Sequence, residues 1–82
     1  MPTESPAEHR ARTLADWQEL AHDEDALVLQ PDQYHRRLID LAHEARRLQV
    51  IDAEDLRELL ELADAAYAWA VEERITRDLG DA

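Results

Sequence analysis

The stretch from residue 53 to residue 79 contains neither glycine nor proline, and it constrains the fold more than any other part of the sequence. Alanine, leucine, glutamate and arginine dominate it, and these residues are the strongest helix formers. A helix of this length is about 40 Å long. The only glycine of the chain follows at position 80, where it is suited to a C-cap. We therefore predict an all-α fold whose longest helix covers about 53–79.

A second predicted helix precedes this one, over about residues 32–49. Its apolar residues recur at steps of four and three, the heptad seam of coiled coils, namely Tyr34, Leu38, Leu41, Ala45 and Leu48. Only Val50 and Ile51 separate it from Asp52, which, with Asp55 three residues on, is predicted to cap the next helix. A connection this short predicts an antiparallel helical hairpin.

The N-terminal third is predicted to add one more helix, which makes a small three-helix bundle. This helix has two candidate starts, near residue 6 after a capping box at Ser5 or near residue 14 after Thr13, and it ends around His22. Residues 1–5 are expected to be disordered. The chain is predicted to form a single helical domain over residues 1–82.

Residues 23–31 are predicted to be a linker between the first helix and the hairpin. The acidic run that opens this segment breaks the helical periodicity, and the apolar residues after it form a stretch too short for a separate helix. Leu27, Val28 and Leu29 are expected to fold back over the core.

The longest helix carries two neighbouring apolar stripes. One consists of Leu56, Leu60, Ala63, Tyr67 and Ala70, and the other of Leu59, Leu62, Ala66 and Trp69. The preceding helix covers only one stripe, so the other requires the first helix, a second copy of the chain, or both. Hairpin folding also predicts an aromatic cluster of Tyr34, Tyr67 and Trp69. The predicted contact surface for a second copy comprises Trp17, Leu59, Leu62, Trp69, Val71, Ile75 and Leu79.

Composition excludes several functional classes. Twenty acidic residues against nine arginines, with no lysine, give a net charge of −11, which disfavours direct binding of nucleic acid through its phosphates. The absence of cysteine excludes disulfides and thiolate metal sites. The sequence has no apolar run long enough to cross a membrane, and its N-terminus lacks the features of a secretory signal, so a cytoplasmic location is expected.

A weak metal-binding pattern lies in the second helix. Asp40, His43 and Glu44 place carboxylates and an imidazole on one helical face, as in helical-bundle metal sites. The longest helix offers no matching Glu-x-x-His pattern, so no metal site is predicted.

The sequence also contains no nucleophile motif and no glycine-rich phosphate loop. We therefore predict no catalytic residue, no cofactor and no enzymatic activity.

Two functional hypotheses remain. The first is a small interaction or regulatory module that forms a homodimer and that could also contact another protein. The second is an acidic decoy whose carboxylates imitate nucleic-acid phosphates and inhibit a DNA- or RNA-binding protein. Partners lost steeply with rising salt favour the decoy, whereas self-association that is insensitive to salt favours the module.

Overall fold

The computed structural model describes residues 4–80 and shows four packed helices. Helix α1 covers Pro6–Ala21, α2 covers Glu24–Leu29, α3 covers Pro31–Arg47 and α4 covers Ala53–Gly80. The predicted all-α class is confirmed, and α3 and α4 form the predicted hairpin. Residues 4–80 contain one helix more than the sequence predicts, since α2 lies where a linker is expected.

Helix α1 begins at the earlier of the two candidate starts. The Ser5 hydroxyl accepts a hydrogen bond from the Glu8 backbone N–H at 3.2 Å, and Pro6 occupies the first helical position. Thr13 therefore lies inside the helix. Of the five N-terminal residues expected to be disordered, residues 1–3 lie outside the described residues, whereas Glu4 forms an ion pair with Arg12 at 2.9 Å.

The linker prediction for residues 23–31 is corrected by helix α2. The Asp23 carboxylate caps the helix by accepting the Ala26 N–H at 3.3 Å, and Leu27 and Val28 are buried. Leu29, which was expected to cover the core with them, is 71% exposed. Isolated helices of six residues are unstable in water, so the burial of two apolar side chains against the hairpin is what sustains this one.

The turn of the hairpin is a Schellman motif. Val50 N–H donates to the Ala45 carbonyl and Gln49 N–H donates to the Arg46 carbonyl, both at 3.0 Å. Gln49 adopts a positive φ of 62°, a conformation that favours glycine. Ile51 follows in the core at 3% exposure. The turn therefore ends α3 and inserts an apolar side chain before α4 begins.

The predicted cap of α4 is confirmed and is reciprocal. The Asp52 carboxylate accepts the Asp55 N–H at 2.8 Å, while Asp52 N–H donates to the Asp55 carboxylate at 3.2 Å. Two N–H groups that the helix start would leave unpaired are thereby satisfied. The predicted C-cap, Gly80, is instead the last described residue of the helix.

The core differs from the predicted seam of α3. Leu38 and Ala45 are buried as expected, but Leu41 and Leu48 are 38% and 57% exposed, and Ala42 is buried instead. The buried face of α3 is rotated relative to the predicted seam because α3 packs against α1 and α2 as well as α4. The buried cluster is completed by residues from all parts of the chain, namely Trp17, Leu27, Ile51, Leu59, Ala63 and Ala70.

The molecule is elongated, with principal extents of 56 × 26 × 15 Å. Its radius of gyration is 15.0 Å, whereas a compact domain of this length has about 12 Å.

Within residues 4–80, no helix combines the length and the apolar character needed to cross a membrane.

Candidate protein-contact surface

An apolar groove lies between α4 on one side and α1 and α2 on the other. We call it the α4 groove; its volume is about 500 Å³, and it is open to solvent along one side. Seven apolar and three polar residues line it, namely Trp17, Gln18, Ala21, His22, Glu24, Leu27, Leu62, Ala65, Ala66 and Trp69. Concave apolar surfaces of this kind accept apolar side chains or helices of a partner.

Two large side chains of α4 remain exposed at this groove. Leu62 is 47% and Trp69 is 37% exposed. They are seven residues apart, so on an α-helix they point in directions that differ by only about 20°. Ala65 and Ala66 lie between them and line the same groove. The result is one continuous apolar face, bounded by two large side chains with two small ones between.

The structure divides the predicted contact residues into three groups. Trp17 and Leu59 are 4% and 3% exposed within the single chain, so they serve its own core and we leave them out of the contact surface. Leu62 and Trp69 lie at the α4 groove. The remaining three, Val71, Ile75 and Leu79, occupy directions about 80–160° away from Trp69 around the helix. A single partner helix lying in the groove therefore does not cover this last group.

The burial of Trp17 is accompanied by a hydrogen bond between helices. Its indole N–H donates to the Leu38 carbonyl of α3 at 2.9 Å. Buried indole N–H groups need such a partner, because an unpaired one costs free energy. Trp17 thus forms a fixed wall of the groove.

Tyr67 and Trp69 lie on opposite sides of α4, and the one aromatic ring pair among residues 4–80 joins Tyr67 to His35, so the predicted cluster of Tyr34, Tyr67 and Trp69 does not form. The Tyr67 hydroxyl donates to the Asp32 carboxylate of α3 at 2.6 Å, and its ring lies 4.9 Å from that of His35. The hydrogen bond to Asp32 raises the pKa of Tyr67. His35 Nε2 also lies 2.9 Å from an oxygen of Asp64. The ring that packs beside Tyr67 is therefore the imidazole of His35, and no sequence pattern predicts this pair.

The middle of α4 is nearly free of charge, although the chain as a whole is strongly acidic. Residues 62–71 contain one charged residue, Asp64. This carboxylate points about 150° away from the groove face and contacts His35 on the side of α3. Acidic residues resume on both sides of this segment, at Glu61 and Glu72. A partner can therefore approach the centre of the groove without meeting a carboxylate of α4.

Arg10 and Asp55 fix the position of α1 beside the groove. The guanidinium donates to both carboxylate oxygens, from Nε at 2.8 Å and from Nη2 at 2.5 Å. The carboxylate is only 6% exposed, and the hydrogen bonds from Arg10 lower the pKa of Asp55 to about 2. The sequence pattern predicts the role of Asp55 in the helix cap, but no local pattern indicates its partner Arg10, which lies 45 residues away.

The weak metal-binding pattern of α3 is not assembled into a site. Glu44 is engaged by Arg47, whose Nη2 lies 2.5 Å from a carboxylate oxygen, and Asp40 and His43 are exposed. Among residues 4–80, no group of three histidine, aspartate or glutamate side chains could hold a metal ion.

Comparison of this chain with protein-family models, with curated proteins and with solved structures found no match.

Proposed function

We propose that this chain is a small acidic protein–protein interaction module that self-associates through the α4 groove and has no catalytic activity. The observation that carries the proposal is the continuous apolar face formed by Leu62, Ala65, Ala66 and Trp69 beside the cleft. An exposed apolar face at a groove is typical of a contact surface between proteins.

The exposed area supports a partner of ordinary size. The accessible surface is 6069 Å², whereas a folded monomer of 9.5 kDa exposes about 5,000 Å². The excess is about 1,000 Å², which is more than the roughly 800 Å² that each partner buries in a standard interface. Domains this small often depend on oligomerisation for stability, and this one has no cysteine to provide disulfides. A second copy of the chain covers the surplus surface and also adds stability.

The acidic-decoy hypothesis draws less support from the arrangement of charges. Several carboxylates that a decoy would present are paired with arginines of the same chain. Asp55 is bound by Arg10, Glu54 and Glu61 by Arg57, and Glu73 by Arg77. These pairs interrupt the continuous row of free negative charges that imitation of a nucleic-acid backbone requires.

Sedimentation of two matched variants tests the proposal. Leu62→Glu introduces a carboxylate into the α4 groove, while Leu48→Glu makes the same change at a similarly exposed leucine, the C-cap residue of α3. We expect the unmodified chain and Leu48→Glu to sediment at twice the mass of the chain and Leu62→Glu at the monomer mass. Circular dichroism of both variants verifies that each remains helical. A monomeric unmodified chain at high protein concentration would contradict the proposal.

A further inference from the structure

We propose that two copies pair through α4 in an antiparallel arrangement, with Ala65 and Ala66 at the two-fold axis and Leu62 of each copy opposite the partner's Trp69. This inference rests on the proposed self-association and specifies the orientation and the contacting residues. Three features of α4 lead to it: the symmetry of its apolar face, the small residues at the centre of that face and the uneven distribution of charge along the helix.

The apolar face of α4 is complementary to itself under a two-fold rotation. Leu62 lies three residues before Ala65, and Trp69 lies three residues after Ala66. A two-fold axis that passes between the two alanines therefore places each Leu62 at the level of the partner's Trp69. Closed dimers use such self-complementary surfaces, in which the same patch serves both copies. Each exposed indole then meets an exposed leucine, and each groove receives a large apolar side chain.

The two alanines allow the helices to approach closely. Interaxial distances between packed helices range from about 8 to 10 Å and are set by the side chains at the contact. Ala65 is exposed and Ala66 is half-buried, and both line the groove. A close approach at the centre brings the larger side chains on both sides into contact with the second copy.

Charge distinguishes the antiparallel from the parallel orientation. Residues 53–64 carry five carboxylates against one arginine, whereas residues 65–80 carry three carboxylates against two arginines, Arg74 and Arg77. A parallel pair places the two strongly acidic halves side by side. An antiparallel pair places each acidic half beside the half that contains both arginines, and it also opposes the two helix dipoles. Like-charge repulsion is therefore smaller in the antiparallel pair.

Disulfide trapping tests the orientation, since the chain has no cysteine of its own. Ala65→Cys lies near the proposed axis, so its thiol meets that of the second copy and we expect a cross-linked dimer under mild oxidation. Leu62→Cys alone is expected not to cross-link, because two copies of this position are offset by about 10 Å along the helices. Disulfides require Cα atoms within about 7 Å of each other. A mixture of Leu62→Cys with Trp69→Cys is expected to yield the mixed dimer.

Two results would overturn the antiparallel pairing. Cross-linking of Leu62→Cys with itself at the rate of Ala65→Cys would indicate a parallel pair. Absence of any cross-link, in variants that still sediment as dimers, would place the interface on another face of the chain. Leu48→Cys, at the exposed C-cap of α3, is the matched control and is expected to remain uncross-linked. Failure of self-association itself is detected separately, because the sedimenting mass is measured before oxidation.

Discussion

The guanidinium of Arg10 holds both carboxylate oxygens of Asp55, so one ion pair joins the second turn of the first helix to the first turn of the last helix. Asp55 also accepts the Asp52 N–H within the cap of α4. This nearly buried carboxylate therefore serves helix initiation and the docking of α1 at once.

Replacement of Asp55 by asparagine is expected to destabilise the fold. The amide preserves the size of the side chain but removes the charge and one of the two oxygens that accept from Arg10. We expect the free energy of unfolding to fall by about 1–3 kcal/mol. Urea denaturation followed by circular dichroism measures the change. Glu8→Gln in the exposed first turn of α1 is the control, and an equal loss in that variant would contradict the special role of Asp55.

The same carboxylate gives the stability a defined dependence on pH. The pKa of Asp55 is about 2 in the folded chain against an ordinary value of 3.8, because Arg10 hydrogen-bonds the ionised form. The unfolded chain therefore binds the proton first as the pH falls. The contribution of Asp55 is fully present above about pH 4–5 and is lost as the pH falls towards 2. The stability difference between the unmodified chain and Asp55→Asn is expected to shrink over this range when urea midpoints are measured at several pH values. A constant difference would argue against the ion pair as its source.

Local signals in the sequence were sufficient to predict the hairpin and the start of α4, and they placed the start of α1 at one of two candidate residues. Ser5 and Asp52 each bond with a residue three positions later, and such short-range geometry is the same in any fold. The pair of Arg10 with Asp55 could not be found in this way, because it depends on how α1 is rotated and placed on the hairpin. Helix α2 was missed for a similar reason, since its stability comes from tertiary burial and not from its own length.

The exposed apolar residues of α4 were predicted in part. The width of the apolar arc on α4 correctly indicated more apolar surface than α3 covers, and Leu62 and Trp69 remain exposed. Periodicity gives the direction of each side chain around its helix but does not identify the neighbour in that direction. Leu59 and Trp17 were therefore assigned to the surface, although both side chains lie in the buried core of the single chain.

The hairpin turn offers a site for stabilisation. Gln49 has a left-handed backbone conformation, which glycine adopts without the steric cost that a Cβ brings. Gln49→Gly is expected to raise the free energy of unfolding by about 0.5–1 kcal/mol, the relief of strain being partly offset by the greater freedom of glycine in the unfolded chain. Gln49→Ala keeps the Cβ and is the control, with little change expected. A urea titration in which the glycine variant is no more stable than the alanine variant would contradict the argument.

Helix α2 depends on Leu27 for its place in the fold. Leu27 is 1% exposed, whereas its neighbour Leu29 in the same helix is 71% exposed. Leu27→Ala leaves a cavity in the core and is expected to lower the free energy of unfolding by about 2–4 kcal/mol. Leu29→Ala removes the same atoms from the surface and is expected to cost less than about 0.5 kcal/mol. Thermal or urea denaturation measures both variants. Leu27 also lines the α4 groove, and the apparent stability of a self-associating protein depends on its concentration, so all chains are compared at the same protein concentration. Equal losses in the two variants would mean that α2 is not packed on the hairpin as described.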